Sequence, residues 1–309
     1  IMDDASHFLP LYLRFVRGII DTSDLPLNVS REILQEHHLV DTIKKGVTKK
    51  ILDSLVTLKK DSFDKYKNFW KEYGLVLKEG TAEDFENKEL IASLLLFSST
   101  YSEKDSPENT LDDYIARMTE DDNKIYYCVA DTYQAAANSP HIEGLKSKGK
   151  EVLLLTDRID EWLMTGLIEY KGKELVNAAK EEITEAEQKK VSESDQDLVS
   201  KIKKHLDSKV SEVIVSSRLT DSASCLVVPK NEPGAQLRRI LEASGQSMEA
   251  SNPIFEINSK HKLLKKLKDL KGKQFNSFVD FLYDYAVIAE GGSPQDPSKY
   301  LRQLDKYLS

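Results

Sequence analysis

Cysteine, a surplus of positive charge and long apolar runs are all scarce in this 309-residue chain. Its two cysteines, Cys128 and Cys225, stand far apart, each among apolar neighbours (Tyr127 and Val129; Leu226 and Val227). That is the setting of buried free thiols in a reducing compartment, and it argues against a disulfide-stapled secreted scaffold. The opening Ile1-Met2-Asp3-Asp4 has neither the basic n-region nor the apolar h-region of a secretory signal. A cytoplasmic location is therefore expected. Because residue 1 is not Met, the reading is expected to begin partway through a longer protein. No apolar run approaches the roughly 20 residues of a spanning helix. The longest, Leu90–Phe97 and Phe278–Ala289, are too short or carry charge, so no membrane partner is expected.

Lysine and arginine number 44 against 52 aspartates and glutamates, a net charge of −8, which argues against a dedicated nucleic-acid binder. The one basic stretch, Lys260 to Lys273, carries Leu263, Leu264, Leu267 and Leu270 at helical spacing. It reads as an amphipathic helix with a solvated lysine face. The histidines (His7, His37, His38, His141, His205, His261) show no metal-ligand spacing, so no metal site is expected. No Gly-x-Ser-x-Gly elbow occurs. Gly144 to Gly149-Lys150 has the glycine and lysine spacing of a phosphate loop, but Glu151 stands where a Ser or Thr should reach magnesium. The segment also leads from helix into strand, the wrong order for phosphate at a helix N-terminus. None of these patterns marks an enzyme or a cofactor site, while a nucleophilic triad built from separated residues stays open.

What is present is organised helix first. Residues 1–97 read as mainly helical. A helix starts near Ser30, and Ile43, Val47, Ile51, Leu55 and Leu58 mark one face of it. Phe63, Tyr66, Phe69 and Trp70 continue the pattern, which Gly74 is expected to break. A polar stretch over 98–122 should hold a short helix around Leu111–Met118. Ile125–Val129, Thr132–Leu145 and Val152–Leu155 then read as strand, helix and strand, a parallel βαβ unit, with a further helix beginning in Asp157–Leu163. The charged segment 180–196 is the expected boundary between domains 1–185 (98–180 being a small α/β subdomain) and 186–309. Beyond it, Leu198, Ile202, Leu206 and Val210 form a helical stripe. Strands at 213–215 and 225–228 are joined through Arg218-Leu-Thr-Asp221, and helices follow near 236–243, 275–289 and 297–308. The expected class is α+β.

Three features invite function. In 275–289 apolar residues cover an arc of roughly 200°, twice what one-sided packing needs. A second copy pairing its last two helices would form a four-helix bundle across a two-fold axis. The expected homodimer contacts are Phe278, Phe281, Leu282, Tyr285, Leu301, Leu304 and Leu308. Trp162 follows Glu161 and adjoins Leu163 and Met164; core packing and an exposed partner contact both remain open. Arg31 sits in the first turn of its helix, where the macrodipole disfavours a cation, and by itself reads as a solvated side chain or a salt-bridge partner.

The run Phe8-Leu-Pro-Leu-Tyr-Leu-Arg-Phe-Val-Arg-Gly-Ile-Ile-Asp-Thr-Ser-Asp-Leu-Pro-Leu-Asn-Val-Ser-Arg-Glu-Ile-Leu-Gln35 resembles the middle domain of the 90-kDa heat-shock chaperones. Phe69-Trp-Lys-Glu-Tyr-Gly-Leu-Val-Leu-Lys-Glu-Gly80, Lys124-Ile-Tyr-Tyr127, Glu151-Val-Leu-Leu-Leu-Thr-Asp-Arg-Ile-Asp-Glu-Trp162 and Arg218-Leu-Thr-Asp221 agree in the same order. The likeness covers the whole chain and is strongest to the bacterial members. It implies the later part of a middle domain followed by a C-terminal dimerisation domain, without the family's ATP-binding N-terminal domain. By this resemblance Arg31, flanked by Asn28 and Gln35, reaches the γ-phosphate of ATP held with magnesium by that other domain of the full-length protein. Client polypeptides would be met by Glu161, Trp162 and Leu237. The last of these lies in Glu232-Pro-Gly-Ala-Gln-Leu-Arg-Arg239, where Pro233 and Leu237 replace the family's methionines. The end at Ser309 lacks the Met-Glu-Glu-Val-Asp tail, so tail-reading co-chaperones are not expected. The implied function is that of a stress-response chaperone fragment; the alternative is a stand-alone dimeric scaffold without a chaperone cycle.

Overall fold

The computed structural model describes residues 8–21, 38–102, 104–180, 192–228 and 251–308. In chain order they carry helices α1 (His38–Asp61), α2 (Phe63–Glu83), α3 (Lys88–Leu94), α4 (Leu111–Arg117), α5 (Tyr133–Ala137), α6 (Glu143–Ser147) and α7 (Asp160–Gly166). Helices α8 (Glu193–Leu206), α9 (Lys262–Asp269), α10 (Gly272–Ala289) and α11 (Pro297–Leu308) follow. The strands are β1 (Ser98–Ser99), β2 (Lys124–Val129), β3 (Val152–Leu155), β4 (Glu169–Tyr170), β5 (Lys173–Asn177), β6 (Glu212–Val215), β7 (Ser224–Val227) and β8 (Ile254–Ile257). The fold is mixed α and β, as expected. Contacts gather into two units: the described parts of Ile1–Ser98, Ser106–Asn123 and Trp162–Leu175, and those of Ser99–Asp105, Lys124–Glu161 and Val176–Ser309.

The first unit is built on α1, α2 and α3, which pack on one another. Leu52, Leu55, Tyr66, Trp70, Leu77, Ile91 and Leu94 are buried between them. The stripe read from sequence is turned slightly. Ile43, Val47, Ile51 and Leu58 are half-buried, while Val40, Thr48, Leu52 and Leu55 face the core. Helix α2 runs through Gly74, which was expected to end it. A Cβ there would lie 2.8 Å from ring carbons of Trp70. Glycine makes room for the buried indole, at a cost of roughly 0.5–1 kcal/mol relative to alanine. Residues 14–21 are not helical, but Tyr12 and Leu13 are fully buried, and the Tyr12 hydroxyl donates to Asp84 at 2.7 Å. The short helix expected near residue 111 is α4, opened by a capping box between Thr110 and Asp113. The β4–β5 hairpin was not anticipated: its two-residue turn is Lys171 (φ 47°) and Gly172 (φ 74°), and β4 is too short to show alternation.

In the second unit β2 and β3 pair in parallel, from Tyr126 opposite Val152 to Val129 opposite Leu155, as the βαβ reading requires. Its crossover is divided, where one helix was expected. Ser139-Pro140 ends α5, a 3-10 turn covers Pro140–Ile142, and α6 follows, because proline cannot donate to the preceding turn. Cys128, Ala136, Ile142, Leu145, Val152 and Leu154 form the core of this layer. The second sheet has the order β6-β8-β7, with β8 parallel to β6 and antiparallel to β7. The two strands read as joined through Arg218–Asp221 therefore do not pair with each other; β8 lies between them. Helix α8 packs on β6 and α10 on β7, burying Leu198, Ile202, Leu206, Phe255, Phe278 and Leu282 in one cluster.

Both cysteines are free and buried. Burial pushes the Cys128 thiol up to about 12 and raises that of Cys225 as well, Glu256 adding to the latter. Iodoacetamide near neutral pH should therefore leave both thiols unmodified in the native chain and alkylate both in denaturant. Native alkylation at the denatured rate would show that these thiols are accessible.

Candidate functional site

Helix α7 settles the orientation of Trp162. Its first turn is held by the Asp160 carboxylate, which accepts from the Asp157 backbone N–H at 2.9 Å. Leu163, Met164 and Leu167 point inward and are at most 6% exposed, whereas Trp162 is 41% exposed. The apolar side of α7 is thus filled by its neighbours, and the indole is left on the surface. Glu161, expected beside it as a client contact, is only 7% exposed. Its charge instead helps burial to push the Tyr127 hydroxyl up to about 12. A carboxylate so withdrawn does not share the tryptophan's surface. Asn28, Arg31, Gln35 and Leu237 lie outside the described residues, as does the side chain of Leu308.

The two closing helices do pair antiparallel. The Gln303 side-chain amide donates to the carbonyl and hydroxyl oxygens of Ser277, both at 2.9 Å. Phe281 stacks on Tyr300 with ring centroids 5.3 Å apart, and Phe278 lies 4.6 Å from Tyr307. Asp280 accepts from Lys299 at 3.1 Å and bonds His205 at 2.9 Å. Burial raises the Asp280 carboxyl, but these two partners outweigh it and hold the group below the usual range. The wide apolar arc was expected to need a second copy. One chain covers most of it: the sheet, α8 and α11 leave Phe278 and Leu282 at 0% and Phe281 at 4% exposure. Those three residues are core. Of the other expected contacts, Tyr285 and Leu304 are half-buried and Leu301 is 58% exposed. Ile288, 42% exposed, joins them.

A polar junction that the sequence did not disclose ties the β2–β3 layer to the second sheet. The Glu143 carboxylate accepts from the backbone N–H groups of Thr220, Asp221 and Ser222 and from the Ser222 hydroxyl, at 2.5–3.2 Å. Arg218 lies 3.1 Å from the Glu256 carboxylate and donates to the Ala178 carbonyl at 2.8 Å. Glu256, 1% exposed in the middle of β8, also accepts from the Ser216 hydroxyl at 2.6 Å. His141 bonds Glu290 at 2.8 Å. At Gly144 a Cβ would lie 2.9 Å from the Arg218 Cα and carbonyl oxygen, so the glycine of the rejected phosphate-loop pattern permits close backbone approach. A glutamate inside Ile254-Phe-Glu-Ile257 was the available signal, since a buried carboxylate requires a cationic partner.

Among the described residues no three His, Cys, Asp or Glu side chains are grouped to hold a metal ion. No described helix is long and apolar enough to cross a membrane.

The family model described as "Hsp90 protein" matches residues 1–309. The chaperone protein HtpG of Shewanella sp. (strain MR-7) is 46% identical over 318 aligned positions, covering all of this chain and 50% of that protein. HtpG of Legionella pneumophila (strain Lens) is 44% identical over 315, covering all of the chain and 51% of the relative. The chain spans about half the length of the curated relatives it matches. With a family match that runs from its first residue to its last, this chain belongs to the Hsp90 family.

Proposed function

We propose that this chain is the client-binding and dimerising part of an Hsp90-type molecular chaperone acting under stress. The observation that carries the reading is the 41% exposed Trp162 on α7, in a chain whose relatives are named as chaperones. A large aromatic side chain held on a rigid helix supplies apolar contact area at little entropic cost, which suits binding of unfolded segments. Trp162→Ala should weaken binding of a permanently unfolded client by about tenfold or more. Its stability loss should stay well under the 3–5 kcal/mol of a buried aromatic. Anisotropy titration and urea midpoints of the one variant measure both, and unchanged client affinity would remove Trp162 from the site.

Self-association would use what one chain leaves uncovered on α10 and α11, namely Ile288 and Leu301 with Tyr285 and Leu304. ATP and magnesium would belong to another domain of the longer protein, with Arg31, Asn28 and Gln35 supporting transfer of the γ-phosphate. An arginine supplied from outside the nucleotide pocket stabilises developing charge without adding to ground-state affinity. In the full-length protein Arg31→Ala should therefore slow hydrolysis by about 10²-fold while leaving nucleotide affinity unchanged. Equal turnover of variant and parent would refute the role.

A further inference from the structure

We propose that the cleft between α8 and the α9–α10 turn docks an acidic, leucine-containing segment of a partner polypeptide. The chain carries a net charge of −8, yet this cleft, about 660 Å³ in volume, concentrates the opposite sign. Lys201, Lys204, Lys268 and Lys271 line it against a single lining carboxylate, Asp197. Two of the lysines already show how it holds carboxylates: Lys201 grips Asp197 at 2.5 Å and Lys268 grips Asp195 at 2.7 Å. Among the described residues, Lys204 and Lys271 have no such partner.

The backbone adds to the same field. Lys271 is the N-cap of α10 and makes no side-chain capping bond, and the first turn holds no acidic residue. The positive end of an 18-residue helix without a side-chain cap therefore lies at the cleft, which Lys271 and Gly272 line. Negative charge from outside would offset this end and the lysines.

The floor selects among anions. Leu198 and Phe275 are buried there and Leu270 is half-exposed. An apolar side chain flanked by carboxylates would meet both the floor and the lysine rim. A bare phosphate gains nothing from the floor, and the cleft has neither the arginines nor the exposed aromatic faces on which single-stranded nucleic acid stacks. This surface is separate from the proposed self-association surface: Gly272 and Ile288 lie at opposite ends of α10, about 24 Å apart at 1.5 Å per residue.

The test is anisotropy of a fluorescein-labelled peptide of glutamates and leucines titrated with the whole chain. Lys204→Glu with Lys271→Glu should weaken binding at least tenfold. Lys49→Glu with Lys50→Glu, an equal charge change on exposed positions of α1, should leave it unchanged. Lys204→Gln with Lys271→Gln serves as the milder pair, and circular dichroism melts report whether each variant is folded. A peptide with serine in place of leucine should bind more weakly than the parent. The proposal is overturned if the cleft variants, folded, bind like the parent chain. Equal binding of the leucine-free peptide or of a single-stranded RNA of the same charge would overturn it too.

Discussion

Leu282→Asp should unfold the unit that contains α10, whereas Leu301→Asp should leave it folded and abolish the self-association proposed for α10 and α11. The contrast follows from burial. Leu282 is 0% exposed, packed with Phe255, Phe278 and Val279, and its own carbonyl accepts from the Ser224 hydroxyl at 3.0 Å. Putting a carboxylate there combines the 2–5 kcal/mol lost on truncating a core leucine with the larger penalty of an unpaired buried charge. Together these rival the whole stability of a domain. Leu301 is 58% exposed on α11, so a charge there costs the isolated chain little and acts only where another surface covers it. Thermal melts separate unfolding from light-scattering mass. A folded Leu282→Asp monomer would show that the helix pair is not core, and an undissociated Leu301→Asp dimer would remove α11 from the contact.

The second large effect is expected at Arg218. Arg218→Ala strands Glu256, 1% exposed on the central strand, and also removes the bond to Ala178. Breaking a buried ion pair from one side typically costs 3–5 kcal/mol. Arg218→Met should strand Glu256 in the same way, and adding Glu256→Leu to Arg218→Met should recover most of the loss, because replacing both charges by apolar groups removes the uncompensated one. Urea midpoints of the single and double variants form the cycle. Additive losses would mean that the two side chains stabilise the fold independently.

The contrast between these residues shows what was legible in the sequence. The helices of the first unit and the β2–β3 pair could be read because their apolar residues recur at the period of the element. Gly74 misled because its role is to admit the ring of Trp70, a residue of its own helix, which propensity alone does not register. Strand β8 was missed because a glutamate interrupts its apolar run, and that carboxylate makes sense only once Arg218 arrives from another loop. Periodicity gave the width of the arc on α10 but could not say how much of it the chain covers by itself. For Trp162, adjacency to Leu163 and Met164 pointed inward, and only the helical phase of α7 turns it outward. Glu161 went the other way for the same reason.

The order β6-β8-β7 bears on how the chain is made. A ribosome delivers the two outer strands first and the central one last, so Glu212–Val215 and Ser224–Val227 leave the exit tunnel with no partner for their backbone groups. The sheet cannot close until Ile254–Ile257 has emerged. Its apolar faces must stay solvent-exposed or be shielded through that interval, during which unpaired edges are prone to associate wrongly. A nascent chain stalled just short of Ile254 should therefore be protease-sensitive across β6 and β7, and resistance should appear in a single step once β8 is released.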